Sequence, residues 1–515
     1  MLDAAIWTAC ACFVVALFVL LRKSKVSGAP LPPGPKPIPF LGNVLDLTPK
    51  ELWLPASQWA KQYGSIVYVH VLGYGIVFLN TAEAAVELLD KRGSIYSDKP
   101  SLIMCGEMCG CKNMVAFTPY GEQSKRQRKL MHKAFGLPVI PTYYPLLQTE
   151  THSFLRRLVA EPAEYMKHIR RYSGGLTLSV VYGYEAVSND DEFLGLAEEC
   201  VGILANRIAS GGGIWPVDVF PFLQHIPTWM PGAGFKRNAI KWRRKMEEFV
   251  NRPYEFVKNC MKSGEYKRSF CSNLLEDEGI KAVDDFEFDL KWSANSMYSA
   301  SIDTTLTTVS HFILAMMLHP EAQRKAQEEL DRVVGTERLP TFADRASLPY
   351  VESVFKESLR WAVPVPLSLP HRLMEDDMYN GMFIPKGTLI FGNIWTMLRD
   401  ETLFPDPEAF RPERFMEEVS PEMERKRNPQ NYVFGFGRRE CPGLHLVDSS
   451  IWLLMVSMLS TLNISKAVDE HGRIVEPVVK FENPIFRTPS LFKCDMRPRS
   501  QKALSLIKQS EIHTA

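Results

Sequence analysis

Apolar and polar positions alternate differently in successive parts of this chain. Residues Ala4 to Leu21 form an apolar run without a charge. As a helix rising about 1.5 Å per residue it spans roughly 27 Å, close to the roughly 30 Å of a bilayer core. Arg22, Lys23 and Lys25 follow it and Asp3 precedes it. The positive-inside rule then leaves the remainder on the cytosolic side. A cleaved signal peptide would carry its basic residues before the apolar run, so an uncleaved anchor is favoured. Leu31 to Phe40 holds five prolines in ten residues, which excludes a helix and favours a stiff extended strut. The β-branched and aromatic runs Ile66–Val71 and Ile76–Leu79, split by Leu-Gly-Tyr-Gly, predict a hairpin. From about residue 120 helical spacing dominates. The longest such pattern covers Asp289 to Leu318 and stops at His319-Pro320, where Pro320 opens another helix. Short strands return between Met382 and Phe391, around the turn Ile384-Pro-Lys-Gly387. The chain thus reads as 1–21 anchor, 22–45 basic and proline-rich linker, and 46–515 a single, mainly α body with a small β-rich lobe. Residues 215–235, with five aromatics and four prolines, fit either a buried loop or a surface that dips into a membrane.

Charge and cysteine usage narrow the classes. The net charge of +1 argues against broad nucleic-acid binding, which needs a basic excess. Ten cysteines without regular spacing in a 515-residue chain suit a reducing compartment, not a disulfide framework. Cys105, Cys109 and Cys111 lack an obvious fourth ligand, so zinc is rejected in favour of small residues of a loop or pocket. Asn463-Ile-Ser465 is a glycosylation pattern that a cytosolic location leaves idle.

Four strings carry candidate chemistry. In Phe434-Gly-Phe-Gly-Arg-Arg-Glu-Cys-Pro-Gly443 a helical pattern begins directly after the cysteine, at about Leu444. A helix N-terminus and nearby arginine favour a thiolate, and such a thiolate is a suitable single axial ligand for haem iron. Lys356-Glu-Ser-Leu-Arg360 sets Glu357 and Arg360 on one helix face; alone this is an exposed pair worth about 0–1 kcal/mol. Phe410-Arg-Pro-Glu-Arg-Phe415 follows. In Ala300-Ser-Ile-Asp-Thr-Thr305, Thr304 can hydrogen-bond dioxygen and Asp303 can feed protons through water. The competing reading is that a mid-helix threonine bonds its own i−4 carbonyl.

The ten-residue string resembles the haem-binding signature of the cytochrome P450 superfamily, with Phe434, Gly437, Arg439, Cys441 and Gly443 at the signature positions. The likeness covers nearly the whole chain and is closest to microsomal fungal members of secondary metabolism. It implies the cytochrome P450 fold, haem b with Cys441 as iron ligand, and Arg439 at a haem propionate. Arg128 and His371 are further propionate candidates; a structural histidine competes for His371. Glu357, Arg360 and Arg414 match a structural triad beneath the haem, and Asp303 with Thr304 matches the acid–threonine pair on the oxygen side. Two departures stand out: Ser301 replaces a usual glycine, and Ser124 replaces a usual tryptophan that would give a propionate donor. The basic face Lys125, Arg126, Lys129 and Lys133 resembles the docking surface for an acidic reductase.

The implied activity is insertion of one atom of O2 into an apolar small molecule, such as a terpenoid or aromatic scaffold. The pocket is expected from residues 101–118, 296–304, 363–369 and Ile485-Phe486. NADPH electrons would arrive through a separate NADPH-cytochrome reductase, since no dinucleotide fingerprint is present. The implied location is the endoplasmic reticulum membrane. The alternatives are a haem-thiolate isomerase or dehydratase needing neither O2 nor reductase, a non-catalytic haem sensor, and a tethered scaffold in which Cys441 is structural.

Overall fold

A 33-residue helix, Phe286–Leu318, runs through the middle of the protein and is buried on nearly all sides. Its apolar residues are spread round the helix and not gathered in one stripe, which suits an element packed on several faces. The structure, a computed structural model, describes residues 28–48, 50–208, 215–281, 284–481 and 483–509. The apolar run 4–21 and the basic residues after it lie outside the described residues.

In chain order the longer helices are α1 (Trp53–Tyr63), α2 (Glu122–Phe135), α3 (Tyr144–Ala160), α4 (Tyr165–Tyr182), α5 (Glu192–Ile203), α6 (Gly234–Ser263), α7 (Phe286–Leu318), α8 (Pro320–Val333), α9 (Pro349–Ala362), α10 (Leu444–Thr461) and α11 (Gln501–Gln509). Helices α4 and α10 enclose α7 with α2 and α9, and one large apolar core joins them. The predicted helix at Asp289 begins three residues earlier, at Phe286. Asp285 at its N-cap has a φ of 60°, and Asp289 accepts from Arg126 of α2.

The strands are β1 (Ile66–Val71), β2 (Tyr74–Leu79), β3 (His371–Arg372), β4 (Asp377–Tyr379), β5 (Met382–Ile384), β6 (Leu389–Gly392), β7 (Leu462–Lys466) and β8 (Cys494–Pro498). A four-stranded sheet has the order β1-β2-β6-β3, and β4-β5 and β7-β8 form separate pairs. The first hairpin is tighter than its sequence suggests. Tyr74 and Gly75 pair with Val71 and His70, leaving only Leu72-Gly73 as the turn. Both turn residues have positive φ, 48° and 85°, as a two-residue turn of this hand requires.

The proline-rich segment does not stand away from the body. The Tyr68 amide donates to the Pro33 carbonyl at 2.9 Å and the Phe383 amide to Pro30 at 2.7 Å. Gly34 comes so close that a Cβ would lie 2.0 Å from the Tyr68 carbonyl oxygen. Prolines can border a sheet this way because they accept without needing to donate. Farther on, the Leu72 amide reaches the Leu41 carbonyl at 3.3 Å, while the Tyr74 hydroxyl donates to Asp218 at 3.0 Å. The strut and the segment 215–235 therefore meet at one hairpin turn. That segment folds as short turns, with Val217 and Val219 buried and Phe222, Trp229 and Met230 exposed, so it is not a buried loop.

Candidate functional site

Cys441 closes the loop between residue 434 and α10. Its amide donates to the Phe434 carbonyl at 2.7 Å, and its sulfur accepts the Gly443 and Leu444 amides at the start of α10. The loop lies close against residues 86–91. At Gly437, where φ is 56°, a Cβ would sit 2.5 Å from the Leu89 carbonyl oxygen, so only glycine fits. Burial raises the Cys441 thiol above its ordinary pKa, while the two amides and Arg128 pull it down. The helix start and the arginine therefore favour the thiolate, as the sequence suggests, without outweighing burial. A cation in contact with the sulfur would complete the deprotonation.

Beside the cysteine stands a wall of cations. Arg439 donates to the carbonyls of Ser97 (2.8 Å), Thr118 (2.8 Å) and Val115 (3.4 Å). Val115 in turn donates its amide to Ser296 of α7 at 2.9 Å, so the 97–118 loop joins the cysteine loop to the central helix. Arg128 of α2 donates to the Glu440 carbonyl at 2.7 Å. Lys99 is buried and reaches only the carbonyls of Leu369 and Pro370, at 3.2 and 3.1 Å. Burial, and then the charges of Arg439 and Arg128, lower the Lys99 pKa well below its ordinary value. Burial and Arg128 bring Arg439 down to about 10.

Asp98 acts on Lys99 and Arg439 but is already engaged, accepting from the Tyr120 amide (2.8 Å) and Arg372 (2.7 Å), while the exposed Glu440 acts on Arg128. A buried excess of positive charge with no anion is costly. A soft thiol at one end and spare cations for two carboxylates at the other fit haem, whose propionates would supply the missing charge. Lys99 escaped sequence reasoning, because a lone lysine before a proline carries no local signal. It provides a cation in the region where the absence of tryptophan at position 124 left a donor wanting. Ser124 itself caps α2, its hydroxyl lying 3.2 Å from the Gly121 amide.

His371 on β3 donates its Nδ1 hydrogen to the Tyr96 carbonyl at 2.8 Å. Burial, then Lys99, holds its pKa well below 6.5. The neutral ring has only a lone pair left at Nε2, so it can give a propionate a hydrogen only after protonation.

The charged triad is buried, not exposed. Glu357 accepts Arg360 Nε at 2.7 Å and Nη2 at 2.9 Å, Arg414 Nε at 3.2 Å, and the Arg411 amide at 2.8 Å. The two guanidinium groups spend their other hydrogens on carbonyls between Leu398 and Ala409. This knits the segment ahead of the cysteine loop to α9.

On α7 the Thr304 hydroxyl donates to the Ala300 carbonyl at 2.9 Å, the competing reading for a mid-helix threonine. Ser301 also turns back, to Tyr298 at 2.9 Å, and the helix stays α-helical here. Burial raises the Asp303 pKa, Arg170 lowers it and Glu198 raises it. The basic face of α2 is partly neutralised: Arg126 pairs with Asp289 at 2.5 Å and Lys125 with Glu122 at 2.7 Å. Cys105, Cys109 and Cys111 are buried; Cys105 and Cys111 are hydrogen-bonded, and burial pushes Cys109 up to about 12. They sit in and after the turn 103–108 as small core residues.

The Cytochrome P450 family profile matches residues 32–485. The chain is 42% identical over 480 residues to cytochrome P450 monooxygenase claT of Ampulloclitocybe clavipes, covering 93% of each. It is 40% identical to cytochrome P450 monooxygenase claR of the same fungus, over 96% of this chain and 90% of that one. Against cytochrome P450 monooxygenase 176 of Postia placenta the identity is 38%, over 94% and 93%. With the profile spanning most of its length and these relatives almost all of it, the chain belongs to the cytochrome P450 family and is a monooxygenase.

Proposed function

We propose that this chain inserts one oxygen atom from O2 into an apolar small molecule, a terpenoid or aromatic scaffold of fungal secondary metabolism, with Cys441 as the residue that would hold the iron of haem b. The observation that carries this is the pairing of a cysteine under two helix-start amides with the incompletely compensated cations Lys99, Arg128 and Arg439. Thiolate-ligated haem supplies dioxygen activation and O–O cleavage. The protein's own groups do the rest. The Gly443 and Leu444 amides orient the sulfur and moderate its charge. Arg439, Lys99 and Arg128 would hold the propionates, and His371 would join them once protonated. Phe434 and Gly437 shape the loop. Glu357, Arg360 and Arg414 keep that loop's support rigid. Thr304 would free its hydroxyl from the Ala300 carbonyl to donate on the oxygen side, and Asp303, whose pKa burial raises, would pass protons inward.

Electrons come from NADPH through a separate reductase, docking on the α2 face, where Lys129 stays exposed and Lys133 pairs only loosely with Asp277 at 3.9 Å. Residues 1–21 anchor the chain in the endoplasmic reticulum membrane, 22–45 lead from it, and 46–515 form the catalytic body. Supporting a membrane-facing side, Phe40, Leu41 and Leu45 of the linker and Phe222, Trp229 and Met230 of the 215–235 segment are exposed, and both segments bond to the same hairpin turn, through Leu41 and Asp218. The test is the carbon monoxide spectrum of the reduced protein. A strongly red-shifted Soret band is expected, and Cys441→Ala should abolish it. A spectrum typical of histidine ligation, or retention of the band in that variant, sinks the proposal.

A further inference from the structure

The segment 103–118 is held at both ends. At its later end Arg439 takes the Val115 and Thr118 carbonyls, and the Val115 amide reaches Ser296 of α7. Ser296 stands one turn before the stretch of α7 that packing leaves open. Between Ser293 and Met317 every residue is buried except Ser299, Ala300, Ser301, Asp303 and Thr304. The segment therefore borders that open stretch. Its earlier end is the turn 103–108, which folds back on itself: the Cys111 amide donates to the Cys105 carbonyl at 3.1 Å and the Cys109 amide to Met104 at 3.0 Å. Met104 and Cys105 are buried, while Ile103 and Phe117 are half-buried.

What fixes the earlier end is a carboxylate 114 residues away, that of Asp218 in the short helix Pro216–Val219. Its Oδ1 accepts the Met104 amide at 2.9 Å, and its Oδ2 accepts the Trp215 amide at 2.7 Å. The group is buried, and among the described residues no lysine or arginine acts on it. A buried carboxylate without a cation depends on its amide donors. The bond to Trp215 is local and needs no carboxylate. Ser124 makes the same bond to the Gly121 amide at 3.2 Å, and Ser272 makes it to the Ser269 amide at 2.8 Å. The second oxygen is what an aspartate adds, and it is spent on the turn 103–108. The segment that carries Asp218 is itself fixed. Its carbonyl accepts the Tyr74 hydroxyl at 3.0 Å, Trp215 Nε1 donates to Ile208 at 2.7 Å, and the Trp215 ring meets Trp242 edge-on. The other tie from outside, Arg243 to the Glu107 carbonyl at 3.3 Å, is exposed to water.

We propose that Asp218 is a positioning residue for the substrate: its second oxygen sets how closely the 103–118 wall approaches α7, and with it the bulk of the molecule the site accepts. This rests on residues 101–118 lining the pocket, as the sequence leads one to expect. Asp218 makes no bond to substrate. It acts through the Met104 amide, and without that bond the turn keeps only the exposed arginine tie, so the wall backs away from α7. The same bond makes this wall ride on the segment 215–235.

The experiment titrates the haem-loaded full chain with two ligands that bind haem iron through the same kind of ring nitrogen. Imidazole is too small to reach the wall; clotrimazole carries a bulky triphenylmethyl group. Binding is read from the Soret difference spectrum. Asp218→Ser keeps the local bond to Trp215 and removes the long one. It should weaken clotrimazole roughly 10-fold, the low end for a hydrogen bond to a charged group, and leave imidazole within about 2-fold. Asp218→Asn has one acceptor oxygen for amides on two sides, so it should fall between wild type and Asp218→Ser; it also serves if the serine variant does not fold. Phe117→Ala alters the wall directly. If Phe117→Ala shifts the clotrimazole affinity while both Asp218 variants leave it unmoved, the positioning role is overturned and the wall stands. If none of the three variants moves it, residues 101–118 are not the wall and the reading beneath the proposal fails. Equal weakening of imidazole and clotrimazole in the Asp218 variants marks damage to the whole haem site and overturns the size-selective role.

Discussion

Replacing Glu357 by alanine takes from two fully buried guanidinium groups the only carboxylate that pairs with them among the described residues. Four hydrogen bonds end on it: two from Arg360, one from Arg414 and one from the Arg411 amide. Bonds to a charged group contribute about 1.5–3 kcal/mol each, which would sum to roughly 6–12 kcal/mol. That sum overstates the loss, because Arg360 keeps three carbonyl partners and Arg414 keeps three. The appropriate figure is the cost of breaking a buried pair and stranding its cations, about 3–5 kcal/mol. Urea unfolding followed by tryptophan fluorescence measures it, with the carbon monoxide band as a second probe of the cysteine loop. Coincident transitions license a free energy; otherwise the midpoints are compared. Glu357→Gln should lie between wild type and Glu357→Ala, since it keeps the shape and loses the charge. The control is Glu476→Ala, which removes the exposed partner of Lys466 and should barely move the midpoint. Glu357→Ala within about 0.5 kcal/mol of wild type would refute the argument, because surface substitutions already span that range.

Other substitutions test other parts of the site. Lys99→Met should weaken haem retention roughly 10- to 100-fold, the equivalent of about 1.5–3 kcal/mol for a charge-assisted bond. The same variant without haem should be at least as stable as wild type, since an unpaired buried cation is gone; haem transfer to apomyoglobin and urea unfolding of the apoprotein read the two effects. Gly437→Ala should cost about 1–3 kcal/mol through a positive φ and a 2.5 Å clash with the Leu89 carbonyl, and a wild-type melting curve would contradict it. His311 donates to Thr307 through Nδ1 and accepts from Arg487 at Nε2, both at 2.8 Å, and burial holds its pKa well below 6.5. Its folded pKa lies under the unfolded one, so its contribution is complete above about pH 6.5 and drains as pH falls, by up to ~1.4 kcal/mol per pH unit. His311→Gln should flatten the loss of stability between about pH 6.5 and 5, and an unchanged slope there counts against the neutral ring.

What could be read in advance was local. The string around Cys441 is contiguous, and its glycines, arginine and following helix fix one another over ten residues. The long helix over 289–318 was legible because its apolar pattern and its proline stop are both in sequence. Burial was not legible. Glu357 and Arg360 look like any surface i,i+3 pair, and only the carbonyls of 398–409, folded over from elsewhere, turn them into a core charge cluster. Lys99 is defined by Arg128, Arg439 and the 369–370 carbonyls, all distant in the chain. Arg126 looks like part of a solvated basic stripe until α7 presents Asp289 to it. Composition predicts a stiff proline run, yet it cannot say that the carbonyls of that run complete a sheet margin.

That margin decides where the chain can be cut. A version made for crystallisation by trimming to residue 46 would discard Pro30, Pro33 and Leu41 as acceptors and leave the amides of Phe383, Tyr68 and Leu72 bare. Strand β1 would become an open edge with a row of free amides, a template for pairing with another molecule. Trimming to residue 28 keeps the margin closed, so the two truncations should differ in aggregation while sharing the same haem site.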